Sequence, residues 1–231
     1  MSKQPTKMII ACRSLKPEID ALLTGDRTAD EQIAVAYLDQ NLHRTPGAMP
    51  GILQAAVDDV PDTVSTIVLG YGLCSNGIVG VMAPRQGLVI PRVHDCIALF
   101  LGSREAYHTA FQKRAGTYYL TPGWIAEQKD PIGFMENDYV PRLGREEAAW
   151  GAKEELKHYS HIIFINTEAV DDPAPLRERA RENARFFDKQ YEEIQGTRDY
   201  FQKLLFGPYD EANFVHIPHG QKVTQKPFLD M

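Results

Sequence analysis

The chain has 231 residues, 43% of them apolar and 24% charged, with a formal net charge of −6. That length allows one large domain or two smaller lobes around a buried core. The acidic balance, with no dense Lys/Arg stripe, argues against a nucleic-acid partner, and no window nears the ~20 apolar residues that span a bilayer, which argues against a membrane.

The opening "MSKQPTKMIIACRS" holds an apolar run too short for a signal core, so a cytoplasmic location is expected. The three cysteines then stay reduced rather than forming a disulfide framework. Along the chain, the patterns predict a strand over Met8–Ala11, a helix over Lys16–Leu23 and a strand over Ile33–Leu38. A helix over Met49–Val60 and strands over Ser65–Leu69 and Leu88–Pro91 follow. Next come a helix over Ser103–Arg114, a strand over Thr117–Leu120, a helix over Arg145–His158 and a strand over His161–Asn166. Leu176, Ala180, Ala184, Phe187 and Tyr191 recur at helical spacing behind "DDPAP", a good start signal. A helix over Thr197–Phe206 and a strand over Phe214–Ile217 complete the series.

Near-continuous apolar strands alternating with helices define an α/β protein. Its mostly parallel sheet or sheets are flanked by helices in a Rossmann-like arrangement with a cleft at the strand carboxyl ends. Residues 1–231 read as a single α/β domain, or as two lobes, about 1–124 and 145–231. The aperiodic stretch 125–144 would then be a connecting loop or lid.

Ligands in such folds bind beyond the carboxyl ends of the strands, and there the chemically unusual residues collect. Cys12 ends the first strand, His43 follows the second, and Cys74 in "YGLCSNG" follows the third. "HDC" (His94, Asp95, Cys96) follows the fourth, "TPGW" the fifth, Asn166 and Thr167 the sixth, and "HIPHG" the seventh. Three thiols and an imidazole suit a soft metal. His94 and Cys96 are two residues apart, which on an extended segment puts both on one face, and Asp95 is placed to orient the imidazole. Cys12, Cys74, Cys96 and His94 are therefore the candidate metal ligands, with His94 and Asp95 as candidate catalytic residues. Asn76, Tyr119 and Trp124 are candidate cofactor contacts. Zinc is the first expectation, with an iron–sulfur cluster or a corrinoid as alternatives. The same cysteines also fit plain core packing, a single nucleophilic thiol, or a disulfide pair.

"YGLCSNG", "IPRVHDCIALFLGS", "GTYYLTPGW" and "GTRDYFQKLLFG…FVHIPHG" together make the chain resemble the domain of unknown function 1638 family from about Met8 to about Lys222. The resemblance implies a small α/β protein whose motifs centre on Cys12, Cys74, Cys96 and His94. It further implies association with corrinoid-dependent methyltransferases of one-carbon metabolism. The expected partner is then a small-molecule substrate or a methyltransferase or corrinoid protein. The site either turns over or closes around its metal in an accessory, cofactor-carrying role. The chain departs from the family pattern in "CSNG", where a second glycine is expected after the cysteine, and in "IPHG", where a Pro-Pro-Gly-like turn is expected.

Overall fold

The structure is a computed structural model describing residues 5–24 and 32–229. The first four residues of the stretch read against a signal core lie outside these. In chain order the elements are β1 (Lys7–Cys12), α1 (Lys16–Thr24), β2 (Ile33–Leu38), α2 (Met49–Asp58), β3 (Thr66–Gly70), β4 (Leu88–Pro91), α3 (Ile97–Leu101) and α4 (Arg104–Lys113). They continue with β5 (Thr117–Leu120), α5 (Pro122–Ala126), α6 (Pro131–Phe134), α7 (Val140–Leu143), α8 (Arg145–Glu155) and β6 (His161–Asn166). Then follow α9 (Ala174–Phe186), β7 (Gln190–Gln195), α10 (Asp199–Phe206), β8 (Phe214–Ile217) and α11 (Lys226–Leu229). The fold is α/β with mostly parallel strands, as the alternation of patterns requires.

The chain divides into two compact units, Met1–Leu99 with Asp199–Met231, and Phe100–Arg198. The first unit holds a five-stranded sheet in the order β2-β1-β3-β4-β8. β1 runs parallel to both β2 and β3, and β3 parallel to β4. Ile9, Ile10, Val68, Leu69 and Ile90 are fully buried, which is why these strands read as continuous apolar runs. The chain leaves β1 on one side to form β2 and crosses to the other side to form β3. The rim between β1 and β3 is therefore a topological switch point, where open α/β sheets hold their ligands.

β8 is antiparallel to β4, with Leu88 opposite Ile217. The "HIPHG" turn thus leaves at the amino end of the parallel strands, on the rim opposite the cysteines. This corrects its expected place among the carboxyl ends. His216 and His219 are both exposed, and His216 hydrogen-bonds the Tyr209 carbonyl through Nε2 at 2.7 Å.

The second unit holds a separate parallel sheet in the order β5-β6-β7. Its core joins Leu120, Ile162, Phe164, Ala180, Ala184 and Phe187 with Ile125, Ile132 and Met135. Those last three lie in the stretch 125–144, which is largely helical rather than a bare connection and falls within this unit. Its turns are too short to show a periodicity. Each is set by local chemistry instead: Pro122, Pro131 and Pro141 sit in first turns, and Thr121 and Asp130 cap them. Asp130, 1% exposed, accepts hydrogen bonds through Oδ1 from Arg179 Nε (3.0 Å), Asn183 Nδ2 (2.6 Å) and Gly133 N (3.3 Å). Asn183 Oδ1 in turn accepts from Ile132 N at 2.9 Å, tying α6 to α9. The helix expected to reach Tyr191 stops at Phe186. Asp188 adopts φ 54°, which ends it, and Tyr191 belongs to β7.

Candidate thiol site

Register brings the first two cysteine-bearing segments together. Ala11 lies opposite Gly70 and Cys12 opposite Leu38, so Cys12, Tyr71 and Asp39 leave the sheet as neighbours. A side chain at position 70 would put its Cβ 2.8 Å from Ala11 Cβ, so only glycine allows β1 and β3 to close there. The loop after β3 is then pinned to the segment after β4. Leu73 N donates to Val93 O at 2.9 Å and Cys74 N to His94 O at 2.8 Å. Gly72 makes that approach possible, since a Cβ there would sit 3.0 Å from Asp95 backbone atoms.

The loop then turns left-handed at three consecutive non-glycine residues, Cys74 (φ 47°), Ser75 (φ 54°) and Asn76 (φ 67°). Each such residue costs about 1–2 kcal/mol, and backbone strain of this type gathers at functional sites.

None of the three thiols is in a disulfide and all are buried, Cys12 at 2% and Cys74 and Cys96 at 8% exposure. Burial pushes the Cys74 and Cys96 thiols well up from the ordinary range. Cys74 is pushed further by Cys12 and the Asp95 carboxylate, and Cys96 by Cys74, Asp95 and Cys12. Ser14 Oγ donates to Cys12 Sγ at 3.0 Å.

Tyr71 lies within electrostatic reach of the group. It is 1% exposed, and its phenol is pushed up by burial first, then by Cys12, Cys74, Asp39 and Cys96. Its hydroxyl is a donor surrounded by electron-rich groups, yet among the described residues it has no hydrogen-bond partner. The His43 ring lies 6.3 Å from the Tyr71 ring, tilted by 35°, and burial lowers its pKa, favouring the neutral imidazole. Tyr71 is the residue that sequence reasoning left out of the site, whereas His43 was placed on the rim but not among the candidate ligands. An aromatic residue beside a strand end reads as core, and the one available signal was its place between two glycines in "GYGLC".

The remaining candidates are placed as follows. The His94 side chain is exposed, and its carbonyl is the group that meets Cys74. Residues 92–96 form no strand, and Asp95 Oδ1 accepts from Ile97 N at 2.9 Å, turning the chain into α3. Asn76 is exposed at the tip of the strained loop. Tyr119 and Trp124 belong to the second unit, where Trp124 meets Tyr118 edge-on at 6.4 Å. Among the described residues, no three or more His, Cys, Asp or Glu side chains are grouped so as to hold a metal ion as they stand. Three thiols and a neutral imidazole are nonetheless donors whose chemistry suits a soft metal.

Fold and site define a Rossmann-like α/β protein with a thiol cluster at its switch point. The family described as "Protein of unknown function (DUF1638)" matches residues 37–205, and the chain belongs to it. No curated protein and no solved structure matches the chain.

Proposed function

We propose that the Cys12/Cys74/Cys96 cluster binds a soft metal or metallocofactor and serves methyl transfer in corrinoid-associated one-carbon metabolism. The observation that carries this reading is the convergence of three buried thiols on one buried tyrosine at the switch point. Thiols held this far above their ordinary pKa are poor nucleophiles, so a lone catalytic thiolate is disfavoured. A cation reverses the balance, because coordinating thiols lose their protons. Binding would draw the sulfurs together from their protonated positions, with the strained turn at Cys74 as the part that shifts.

Zinc fits the mixed sulfur and nitrogen donors, and an iron–sulfur cluster would usually call for a fourth thiolate. When bound, the metal supplies Lewis acidity that lowers the pKa of a substrate sulfur or oxygen accepting or donating a methyl group. Asp95 sets the local negative potential. His94 would have to swing inward to serve as fourth ligand or base, whereas His43 already faces Tyr71. Asn76, at the tip of the strained loop, remains a proposed cofactor contact, whereas Tyr119 and Trp124 belong to the second unit and are not assigned to this site. The partner is a small-molecule substrate or a methyltransferase or corrinoid protein. No helix of the described residues is long and apolar enough to cross a membrane, and three cysteines outside any disulfide support a cytoplasmic setting. The accessory alternative is a closed Cys₃His shell without turnover, which would recruit His94.

Metal analysis of protein purified without added metal tests the reading. Stoichiometric metal that falls away in Cys74→Ser supports it, and substoichiometric metal unchanged by that substitution refutes it.

A further inference from the structure

We infer that β2 is a dimer seam: its open edge pairs antiparallel with β2 of a second copy of the chain and joins the two five-stranded sheets into one. This goes beyond the proposed function and does not depend on it. β2 (Ile33–Leu38) ends the sheet order β2-β1-β3-β4-β8, and among the described residues β1 is the only strand paired with it. The register fixes which backbone groups face out. Lys7 N donates to Gln32 O at 3.2 Å, with Lys7 opposite Ile33. Gln32, Ala34, Ala36 and Leu38 therefore turn their N–H and C=O groups to β1, and Ile33, Val35 and Tyr37 turn theirs outward.

An edge of this kind is ordinarily blunted by charge, proline, a bulge or brevity. β2 has none of these: "IAVAYL" is six residues long, uncharged and in unbroken register with β1. All six residues stay half-buried, whereas Ile9, Ile10 and Ala11 beside them on β1 are fully buried. The other edges are guarded, β7 by Glu192 and Glu193, and β5 and β8 by a length of only four residues.

A second copy is the occupant that the edge fits. Each copy carries a net charge of −6, so two copies repel except where charge is absent. Lys16 and Asp20 of α1, which meet Tyr37, pair with each other. A two-fold axis through Val35 sets Val35 opposite Val35, Ile33 opposite Tyr37 and Ala34 opposite Ala36. Every outward N–H then meets an outward C=O, and Ile33 with Tyr37 makes a favourable pair of aromatic and β-branched side chains. Centring on Ala36 instead would set Ile33 against Asp39. A seam of one strand pair is small, so the dimer forms and dissociates with concentration.

The test is sedimentation velocity of the full chain up to about 100 μM, a range that covers weak interfaces. The expected mass rises from that of the 26.0 kDa chain toward twice that value. Val35→Pro removes an outward N–H and no bond to β1, as an edge strand tolerates. It should stay monomeric, with the melting midpoint of the wild type. Cysteine substitutions read the register. Val35→Cys should form a covalent dimer on oxidation with diamide, because opposed Cα atoms in a hydrogen-bonded pair lie ~5.5 Å apart, within disulfide reach. Ile33→Cys, whose opposite is Tyr37, should not, and the wild type with its buried thiols serves as the blank. A wild type that stays monomeric throughout overturns the inference, and so does a dimer that persists in Val35→Pro. Where that variant fails to fold, the cross-links decide: a covalent dimer from Ile33→Cys, or from neither cysteine variant, overturns it equally.

Discussion

A thiol that stays protonated in the fold but ionises when unfolded leaves a pH signature. Cys74 and Cys96 are both raised by burial. Below the ordinary thiol pKa, about 8.5, both states are protonated and stability is unaffected. Above it the unfolded chain binds fewer protons than the folded one, so stability falls as pH rises, by up to about 1.4 kcal/mol per pH unit for each thiol. Urea unfolding of metal-free protein should therefore show stability level from pH 7 to 8 and declining beyond pH 9. A flat profile to pH 10 would mean the thiols are not buried as described. A second residue-scale expectation concerns Asp130, the acceptor for Arg179, Asn183 and Gly133. Asp130→Ala leaves those donors unmatched and should cost about 3–5 kcal/mol in urea unfolding. At this scale the cysteines' places at or just beyond strand ends were legible because each follows an apolar run. The orientation of His94 was not legible. The two-residue spacing that puts it on one face with Cys96 holds only for extended backbone, and Asp95 turns that segment into a helix.

Single elements carry their own test at the left-handed turn. Ser75 sits at φ 54° between two other strained residues. Ser75→Gly relieves about 1–2 kcal/mol of steric cost and loses about 0.5–1 kcal/mol to the greater freedom of the unfolded chain. Metal-free protein should gain about 0.5–1 kcal/mol by urea unfolding. A loss of stability would show that Ser75 makes a compensating contact. Seven of the strands were readable because apolar β-branched runs four to six residues long have few alternatives. β7 was not, because "QYEEIQ" is an edge strand whose half-buried Glu192 and exposed Glu193 pair with Arg114 and Arg177. It lacks the apolar continuity of a covered strand, and Tyr191 happens to extend the helical spacing of α9. The short helices between 122 and 143 hid for the opposite reason: proline and capping residues, which usually signal loops, here start each turn.

For the molecule as a whole, the second unit is one continuous segment, Phe100–Arg198, set within the sequence of the first. It has its own parallel sheet and its own buried cluster. A fragment spanning 100–198 should therefore fold alone and melt cooperatively by circular dichroism, and a broad non-cooperative melt would show that its core is incomplete. The first unit depends on both of its segments, since β8 covers the edge of β4 and α10 packs on α1. Where the inserted segment begins and ends, Thr197 N donates to Phe100 O at 2.9 Å. The entry and exit of the insert thus stand side by side, and a few glycines spliced between Leu99 and Asp199 would be enough to bypass it. The shortened chain would keep Cys12, Cys74, Cys96, Tyr71 and His43, so genetic surgery of this kind can ask what the sulfur chemistry owes to the host and what to its passenger.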